Sequence, residues 1–262
     1  MRCDRCRDEA VFYQSYSGRH LCGRHLALDI EARAKHSIRL HHWMSPGDHI
    51  AVLVSCDRKS AALLCFLKKL IADRRDIRLS AVIACGADTR KGSRSAAMKI
   101  AESLRIPWSE MPLPDGSGSA AQEKVTKIAL AVSLDDIARG VLGQFLFGNA
   151  GWLVHPSSAG GGPLPIICPF IAVPSDELDI YGEIGGTGID LPSGTPKSDA
   201  IRQETGTILE NYSRRHPATK YALLHLAEQL SSGDAAAIAV ADTIFTGNGE
   251  GNASPPQKRP NS

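Results

Sequence analysis

The sequence predicts an α/β protein, a parallel sheet with helices on both faces, preceded by a small N-terminal zinc ribbon. Three observations predict it. Between residues 49 and 148 short apolar runs alternate with helical periods, the rhythm of a sheet wrapped by crossover helices. The runs "HIAVLVS" and "IRLSAVIAC" are continuous rather than alternating, as strands buried on both faces require. Finally, Cys3, Cys6, Cys22 and His25 fall in two short pairs near the N-terminus.

Those pairs are C-x2-C and C-x2-H, separated by fifteen residues. Each is a knuckle that places two donors on one side of a metal. The stretch between them can form a hairpin, with Val11 and Tyr13 alternating and a turn near Ser17 and Gly18. Two facing knuckles complete a closed tetrahedral Cys3His zinc site, which is structural because no ligand position stays open. So short a segment cannot bury a core, and metal binding would supply its folding energy. His20 is a competing donor outside the knuckle.

Residues 27–43 read as a helix, with Leu28, Ile30, Ala34, Ile38 and Leu40 near helical spacing, broken by "SPGD" at Ser45–Asp48. After the first buried strand, residues 59–72 carry an apolar stripe of Ala61, Leu64, Cys65, Leu67, Leu70 and Ile71. "SRSAAMKIAESLRI" is the next helix, "PWSEMPL" a third strand, "KIALAV" a fourth and "LDDIARGVLGQFLFG" a further helix. "IICPFIAV" reads as another strand and "SDELDIYGEIG" as a helix with Ser175 as N-cap. Two more helices are expected over 198–213 and 217–231. The resulting organisation is a ribbon at 1–26, a linking helix at 27–46 and an α/β domain at 47–150. Residues 151–232 complete that domain with a strand and helices, and 233–262 form a C-terminal segment, disordered from about 246.

The 262 residues suffice for one sizeable core plus an appendage, and 43% apolar with 22% charged residues is ordinary for a globular protein. A net charge of +2 does not by itself call for nucleic acid. The first forty residues hold Arg2, Arg5, Arg7, Arg19, Arg24, Arg33, Lys35 and Arg39 against Asp4, Asp8, Glu9, Asp29 and Glu31. A solvated face explains this mild excess; zinc knuckles in nucleic-acid binders are the other reading. No apolar run spans a bilayer, and the polar, cysteine-bearing start is no signal peptide, so no membrane partner is expected. Seven cysteines, an odd count without an export signal, point to the cytoplasm and against a disulfide framework.

In parallel sheets of this kind ligands bind beyond the C-terminal strand ends. Two segments lie there: Ser55, Cys56, Asp57, Arg58, Lys59 and Ser60 after the first strand, and Asp135 with Asp136 after the fourth. The first has the layout of a phosphate-binding loop without its glycines. The acidic pair either holds magnesium or simply favours the dipole of its helix.

The ribbon, linking helix, "PGDHIAVLVS" and the strand–loop–helix that follows resemble the PP-loop ATP pyrophosphatase superfamily. The likeness is to its tRNA 2-thiouridine synthetase branch and covers residues 1 to about 230. It rests on Cys3, Cys6, Cys22 and His25, on Leu134, Asp135 and Asp136 as the family's "LDD", and on "HPATKYALLHLAEQL", similar to its "PGTK" helix. The resemblance implies a PP-loop sheet, ATP with magnesium, tRNA as partner, and a chemistry of adenylation followed by sulfur insertion.

The departures are specific. Where the family loop reads S-G-G-K-D-S, this sequence reads S-C-D-R-K-S. Asp57 sets a negative charge against a phosphate, a repulsion of about 4 kcal/mol at ~4 Å and an effective dielectric near 20. Arg58 and Lys59 would attract an anion at the helix start. The family's "GHNLDD" becomes Ala131, Val132, Ser133, Leu134, Asp135, Asp136. In this branch a C-x-x-C near the middle of the sequence and a later Cys-Pro hold an iron–sulfur cluster. Residues 113–127 contain no cysteine, the Cys-Pro position is Leu191-Pro192, and Cys168-Pro169 lies in another segment, so no iron–sulfur cluster is expected. Cys65 and Cys85 read as core. Together these features point to a catalytically impaired relative that binds tRNA, nucleotide or a partner, such as an active paralogue or a second copy of itself. The alternative is an active ATP-dependent tRNA uridine 2-thiolation enzyme. A third reading keeps the pocket for a different anion anchored by Arg58 and Lys59.

Overall fold

In the computed structural model, residues 1–83, 93–110, 125–146, 148, 164–184 and 200–230 are described. The protein opens with a hairpin of β1 (Phe12–Gln14) and β2 (Arg19–Leu21), whose register pairs Phe12 with Leu21, Tyr13 with His20 and Gln14 with Arg19. The turn falls where the sequence places it. Gly18 has φ +69, a left-handed torsion that glycine adopts without steric cost, and its N–H returns to the Gln14 carbonyl at 2.8 Å.

Helix α1 (Gly23–Leu40) follows directly. It begins four residues earlier than its periodicity suggests, because Cys22 is its N-cap and His25 lies in its first turn. Its buried side is Leu26, Ile30, Ala34 and Ile38. Leu28, which the periodicity puts in the stripe, is 47% exposed instead.

The sheet contains β3 (His49–Val54), β4 (Arg78–Ile83), β5 (Trp108–Glu110), β6 (Lys127–Ala129) and β7 (Ile166–Ile167) in the order β5-β4-β3-β6-β7, every pairing parallel. β3 is the central strand; Ile50, Val52 and Val54 are fully buried, which is why its sequence is a continuous apolar run. The helices are α2 (Arg58–Leu70), α3 (Ser93–Ser103), α4 (Leu134–Leu146), α5 (Ser175–Ile184), α6 (Ala200–Ser213) and α7 (Thr219–Leu230). α5 packs on α1 and α2, while α6 and α7 pack on α4. Phe66 of α2 meets Phe170 at 5.5 Å between ring centroids, and Phe170 meets Tyr181 of α5 edge-on, joining α2 to α5 through the core.

One strand is shorter than expected. "IICPFIAV" pairs only through Ile166 and Ile167. Pro169 has no N–H for a ladder, and the backbone instead makes two successive tight turns, Ile171 N–H to Cys168 O at 3.0 Å and Val173 N–H to Phe170 O at 2.8 Å. Those turns swing Ser175 and α5 over the strand ends. The expectations for residues 84–92, Cys85 as core among them, and for 111–124, 147, 149–163, 185–199 and 231–262 lie outside the described residues.

The order of the strands locates a crevice. The backbone leaves β3 toward β4 on one side, and β6 lies on the other side of β3, so the strand order reverses between β3 and β6. Ligands of open α/β sheets bind outside the carboxyl ends of the strands at this kind of switch point.

Candidate metal and anion sites

The first site is the N-terminal module. Cys3, Cys6, Cys22 and His25 bring one donor atom each to within 4.8 Å of one another. Cys22 Sγ lies 3.3 Å from His25 Nδ1, Cys3 Sγ 3.5 Å from His25 Nδ1, and Cys6 Sγ 3.6 Å from Cys22 Sγ. For one tetrahedral ion with metal–sulfur bonds of about 2.3 Å and metal–nitrogen bonds of about 2.0 Å, donor–donor edges come to about 3.5–3.8 Å. The donor set therefore fits a single ion, with Nδ1 as the histidine donor. Local backbone bonds shape the first knuckle: Cys3 N–H to Asp8 O and Asp4 N–H to His20 O, both 2.9 Å. His20 is not a donor here; its ring lies against Tyr13 at 4.7 Å.

Burial raises the Cys3 thiol, but hydrogen bonds from the backbone of Cys22, Arg5 and Cys6 and from the Cys6 thiol outweigh it and bring it to about 6. The Asp8 N–H lowers Cys6, yet burial and its bonds to the Cys22, Cys3 and Asp8 side chains push it up to about 12. Thiols this close do not all ionise alone, and a divalent cation removes that conflict.

The second site is at the carboxyl ends of β3 and β6. After Val54 the backbone turns at Cys56, whose φ of +60 is a left-handed torsion. The sequence has lost the glycine there, but the backbone shape that suits glycine is retained, at a cost of about 1–3 kcal/mol. Cys56 is disulfide-bonded, which the odd cysteine count did not anticipate. Asp57 is the N-cap of α2: its Oδ1 accepts the Ser60 N–H at 2.7 Å and its Oδ2 the Ser55 hydroxyl at 2.8 Å. Ser60 Oγ donates to the Asp57 carbonyl at 3.0 Å. Two donors that an anion could use at this helix start, the Ser60 N–H and the Ser55 hydroxyl, are thus taken by the protein's own carboxylate.

The two cations of the loop are also engaged. Lys59, 5% exposed, donates to Asp136 Oδ2 at 2.9 Å. Arg58 reaches away to Glu183 at 2.5 Å. Burial lowers Lys59, but Asp136 first, then Asp57 and Asp135, hold its ammonium above the ordinary value. Burial raises Asp136, but Lys59 and the Ser133 hydroxyl and N–H outweigh it and hold it below the usual aspartate range. Arg58 and Lys59 therefore point into different ion pairs rather than jointly toward one anion.

Asp135 and Asp136 open α4, as the dipole reading expects, and each also has a partner of its own. Asp135 accepts the Ser175 N–H at 2.7 Å and Lys220 Nζ at 2.5 Å. Asp136 accepts the Ser133 hydroxyl at 2.6 Å, and Ser133 Oγ lies 2.7 Å from Ser175 Oγ. Lys59, Asp135, Arg139, Ser175, Asp176, Asp179, Glu210 and Lys220 line one cavity of about 240 Å³. Sequence reasoning brings the two loops here but misses Lys220, Ser175 and Asp179. Lys220 lies inside the "HPATK" stretch that resembles the family's "PGTK" helix, but neither its helical pattern nor that likeness assigns the lysine a partner.

A third arrangement joins the two units. Glu177 of α5, fully buried, accepts from Tyr16 OH at 2.7 Å and Gln14 Nε2 at 3.2 Å, both in the N-terminal hairpin, and pairs with Arg33 of α1. Arg33 also donates to Tyr221 OH and the Ala172 carbonyl, each at 3.2 Å.

A parallel five-stranded sheet with surrounding helices, a turn-plus-helix at its switch point and an N-terminal Cys3His module define a PP-loop-type α/β protein. The family model described as "2-thiouridine synthetase TtuA, N-terminal LIM domain" matches residues 2–27. The tRNA 2-thiolation protein NcsA of Haloferax volcanii is 23% identical, over 88% of this chain and 87% of its own. Cytoplasmic tRNA 2-thiolation protein 1 of Mus musculus is 26% identical, over 89% of this chain and 65% of its own. The solved structure of the U34-tRNA thiolase NcsA from Methanococcus maripaludis with its [4Fe-4S] cluster has the same fold, with a TM-score of 0.75 at 19% identity over 88% of this chain and 87% of that one. The chain is thus similar to the tRNA 2-thiolation proteins along most of its length, and its fold is that of the solved thiolase.

The likeness corrects one expectation. That no iron–sulfur cluster goes with this sequence does not stand, because the solved thiolase of the same fold is described with its [4Fe-4S] cluster. The expectation rests on thiols missing at two aligned positions, and folding gathers cluster ligands from distant segments. Most of residues 113–127, and Leu191-Pro192, lie outside the described residues. Among the described residues beyond the N-terminal module, the cysteines outside a disulfide are Cys65 on α2 and Cys168 after β7, and no three converge to fit a cluster.

Proposed function

We propose that this protein keeps the architecture of the tRNA 2-thiolation proteins as a module that binds tRNA or a partner, with its nucleotide loop closed by its own side chains. The observation that carries this reading is the Asp57 carboxylate on the Ser60 N–H at the start of α2. Phosphate binding at a helix start needs those N–H groups free and the local charge positive. Here a carboxylate takes the first role and the Lys59–Asp136 pair cancels the second. In this reading Cys3, Cys6, Cys22 and His25 hold a structural zinc, and the protein works in the cytoplasm, as the mouse relative is named.

One observation favours a second reading, an active ATP-dependent tRNA 2-thiolation enzyme. Lys220, Asp135, Ser133 and Ser175 form a connected polar group beside a cavity of about 240 Å³ at the strand ends. Pyrophosphate release from ATP, measured with and without bulk tRNA, separates the two. The module reading expects tRNA to shift in a gel at low salt while no pyrophosphate appears. Turnover that depends on tRNA overturns it.

A further inference from the structure

We infer that the connection between α6 and α7, residues 211–219, is the surface on which this protein holds an unpaired stretch of tRNA: the Tyr212 and His216 rings take base faces, and Arg214 and Arg215 take backbone phosphates, beside the strand-end cavity. The inference rests on the tRNA binding proposed above and gives it a place.

Tyr212 lies in the last turn of α6, and His216 follows one turn later. The His216 N–H bonds the Tyr212 carbonyl at 3.1 Å, and the two rings stand 4.5 Å apart between centroids, tilted by 31°. Both are exposed, Tyr212 by 56%. Ile208, one turn earlier, is also exposed, whereas Thr205 and Leu209 are buried. α6 thus shows water an apolar and aromatic ridge that its core packing does not use. The connection is held in shape by its own backbone. Arg215 N–H bonds the Tyr212 carbonyl at 3.1 Å, and the Thr219 N–H and hydroxyl both bond the His216 carbonyl, at 3.0 and 2.7 Å. A turn fixed in this way loses little freedom when it binds.

The charge on this surface has one sign. Residues 211–219 contain two arginines and no acid. Arg214 and Arg215 are exposed and, among the described residues, have no ion-pair partner. Glu210, the acid just before them, is taken by Lys220 at 3.0 Å. Free guanidinium groups beside flat rings suit a polyanion whose bases are unpaired, since phosphates meet the charge and bases stack on the rings. An apolar partner would desolvate both guanidinium groups without offering them acceptors. Glu210 and Lys220, which bracket the stretch, both line the strand-end cavity, so a nucleotide chain resting on it passes that opening.

The test uses fluorescently labelled bulk tRNA and the full-length protein with zinc loaded, followed by anisotropy over a salt series. The variants are Tyr212→Ala, Tyr212→Phe, Arg214→Gln/Arg215→Gln and, as a control of equal charge loss, Arg75→Gln/Arg78→Gln, exposed at the amino end of β4. Tyr212→Ala is expected to weaken binding about tenfold and Tyr212→Phe to restore it. Arg214→Gln/Arg215→Gln should reduce the slope of log affinity against log salt by about 1.5, and the control should leave it near the wild-type value. All four should keep the wild-type Tm, because every substituted side chain is exposed. Wild-type binding that neither Tyr212→Ala nor the Arg214/Arg215 pair weakens, or that the control weakens equally, overturns the inference and leaves tRNA binding standing. A dimer seen by sedimentation in wild type and lost in Tyr212→Ala, with tRNA affinity unchanged, assigns the surface to a second copy and overturns it too. Wild type that binds no tRNA at low salt overturns the tRNA reading itself, and this inference with it.

Discussion

Tyr16 donates its hydroxyl to Glu177 at 2.7 Å, a hydrogen bond between residues 161 positions apart that fastens the N-terminal hairpin to α5. Two residues before Glu177, the Ser175 N–H binds Asp135 of the strand-end site. One short helix start thus touches both sites.

Glu177→Ala is expected to destabilise the protein by about 3–5 kcal/mol, because it strands Arg33 and the hairpin donors in a buried setting. Tyr16→Phe removes one bond to a charged acceptor and should cost about 1.5–3 kcal/mol. Urea unfolding of both variants checks this. Two unchanged midpoints would mean that the network does not join the units.

Metal removal should unmake the N-terminal module. Elemental analysis is expected to find one zinc per molecule, and Cys22→Ser to lose it. Stripping the metal with a chelator should abolish amide protection across residues 1–22, since so short a segment has little core beyond Leu21 and the donors. Protection that survives chelation refutes the donor assignment.

Asp57→Ala should cost about 0.5–2 kcal/mol through the lost N-cap. It also frees the Ser60 N–H and the Ser55 hydroxyl. Inorganic pyrophosphate is then expected to raise the Tm of the variant and to leave wild type where it is. Equal stabilisation of both would place the anion elsewhere.

The Lys59–Asp136 pair gives a pH dependence of known sign. Asp136 has a folded-state pKa depressed below its unfolded value. Its contribution is therefore complete above the unfolded aspartate value and is lost as pH falls through the lower, folded one. Wild-type stability measured by urea should drop on acidification through that window. The drop should be smaller in Lys59→Met/Asp136→Asn, and an identical slope would show that the pair is not the source.

The two knuckles and the strand–helix rhythm are legible because they are local: spacing sets which donors face one another, and a continuous apolar run marks a strand covered on both sides. Hence Cys3, Cys6, Cys22 and His25 converge as expected, and β3 is the buried central strand. The same local reasoning places Ser55–Ser60 and Asp135–Asp136 at strand ends. It fails at "IICPFIAV", where apolar content looks like a strand but Pro169 and two turns re-aim the backbone.

Which charge meets which is not legible. From the sequence, Asp57 stands as a charge that repels a ligand, with Arg58 and Lys59 as its attractors. Folding turns the Asp57 carboxylate back onto the Ser60 N–H and divides the two cations between Glu183 and Asp136, 125 and 77 positions away. Lys220 reaches Asp135 across 85 positions and Tyr16 reaches Glu177 across 161. Periodicity and spacing report only on neighbours within a turn or a strand. An ion pair forms where burial removes water and two distant segments arrive together, so the pairings of Asp57, Arg58 and Lys59 are a property of the tertiary structure.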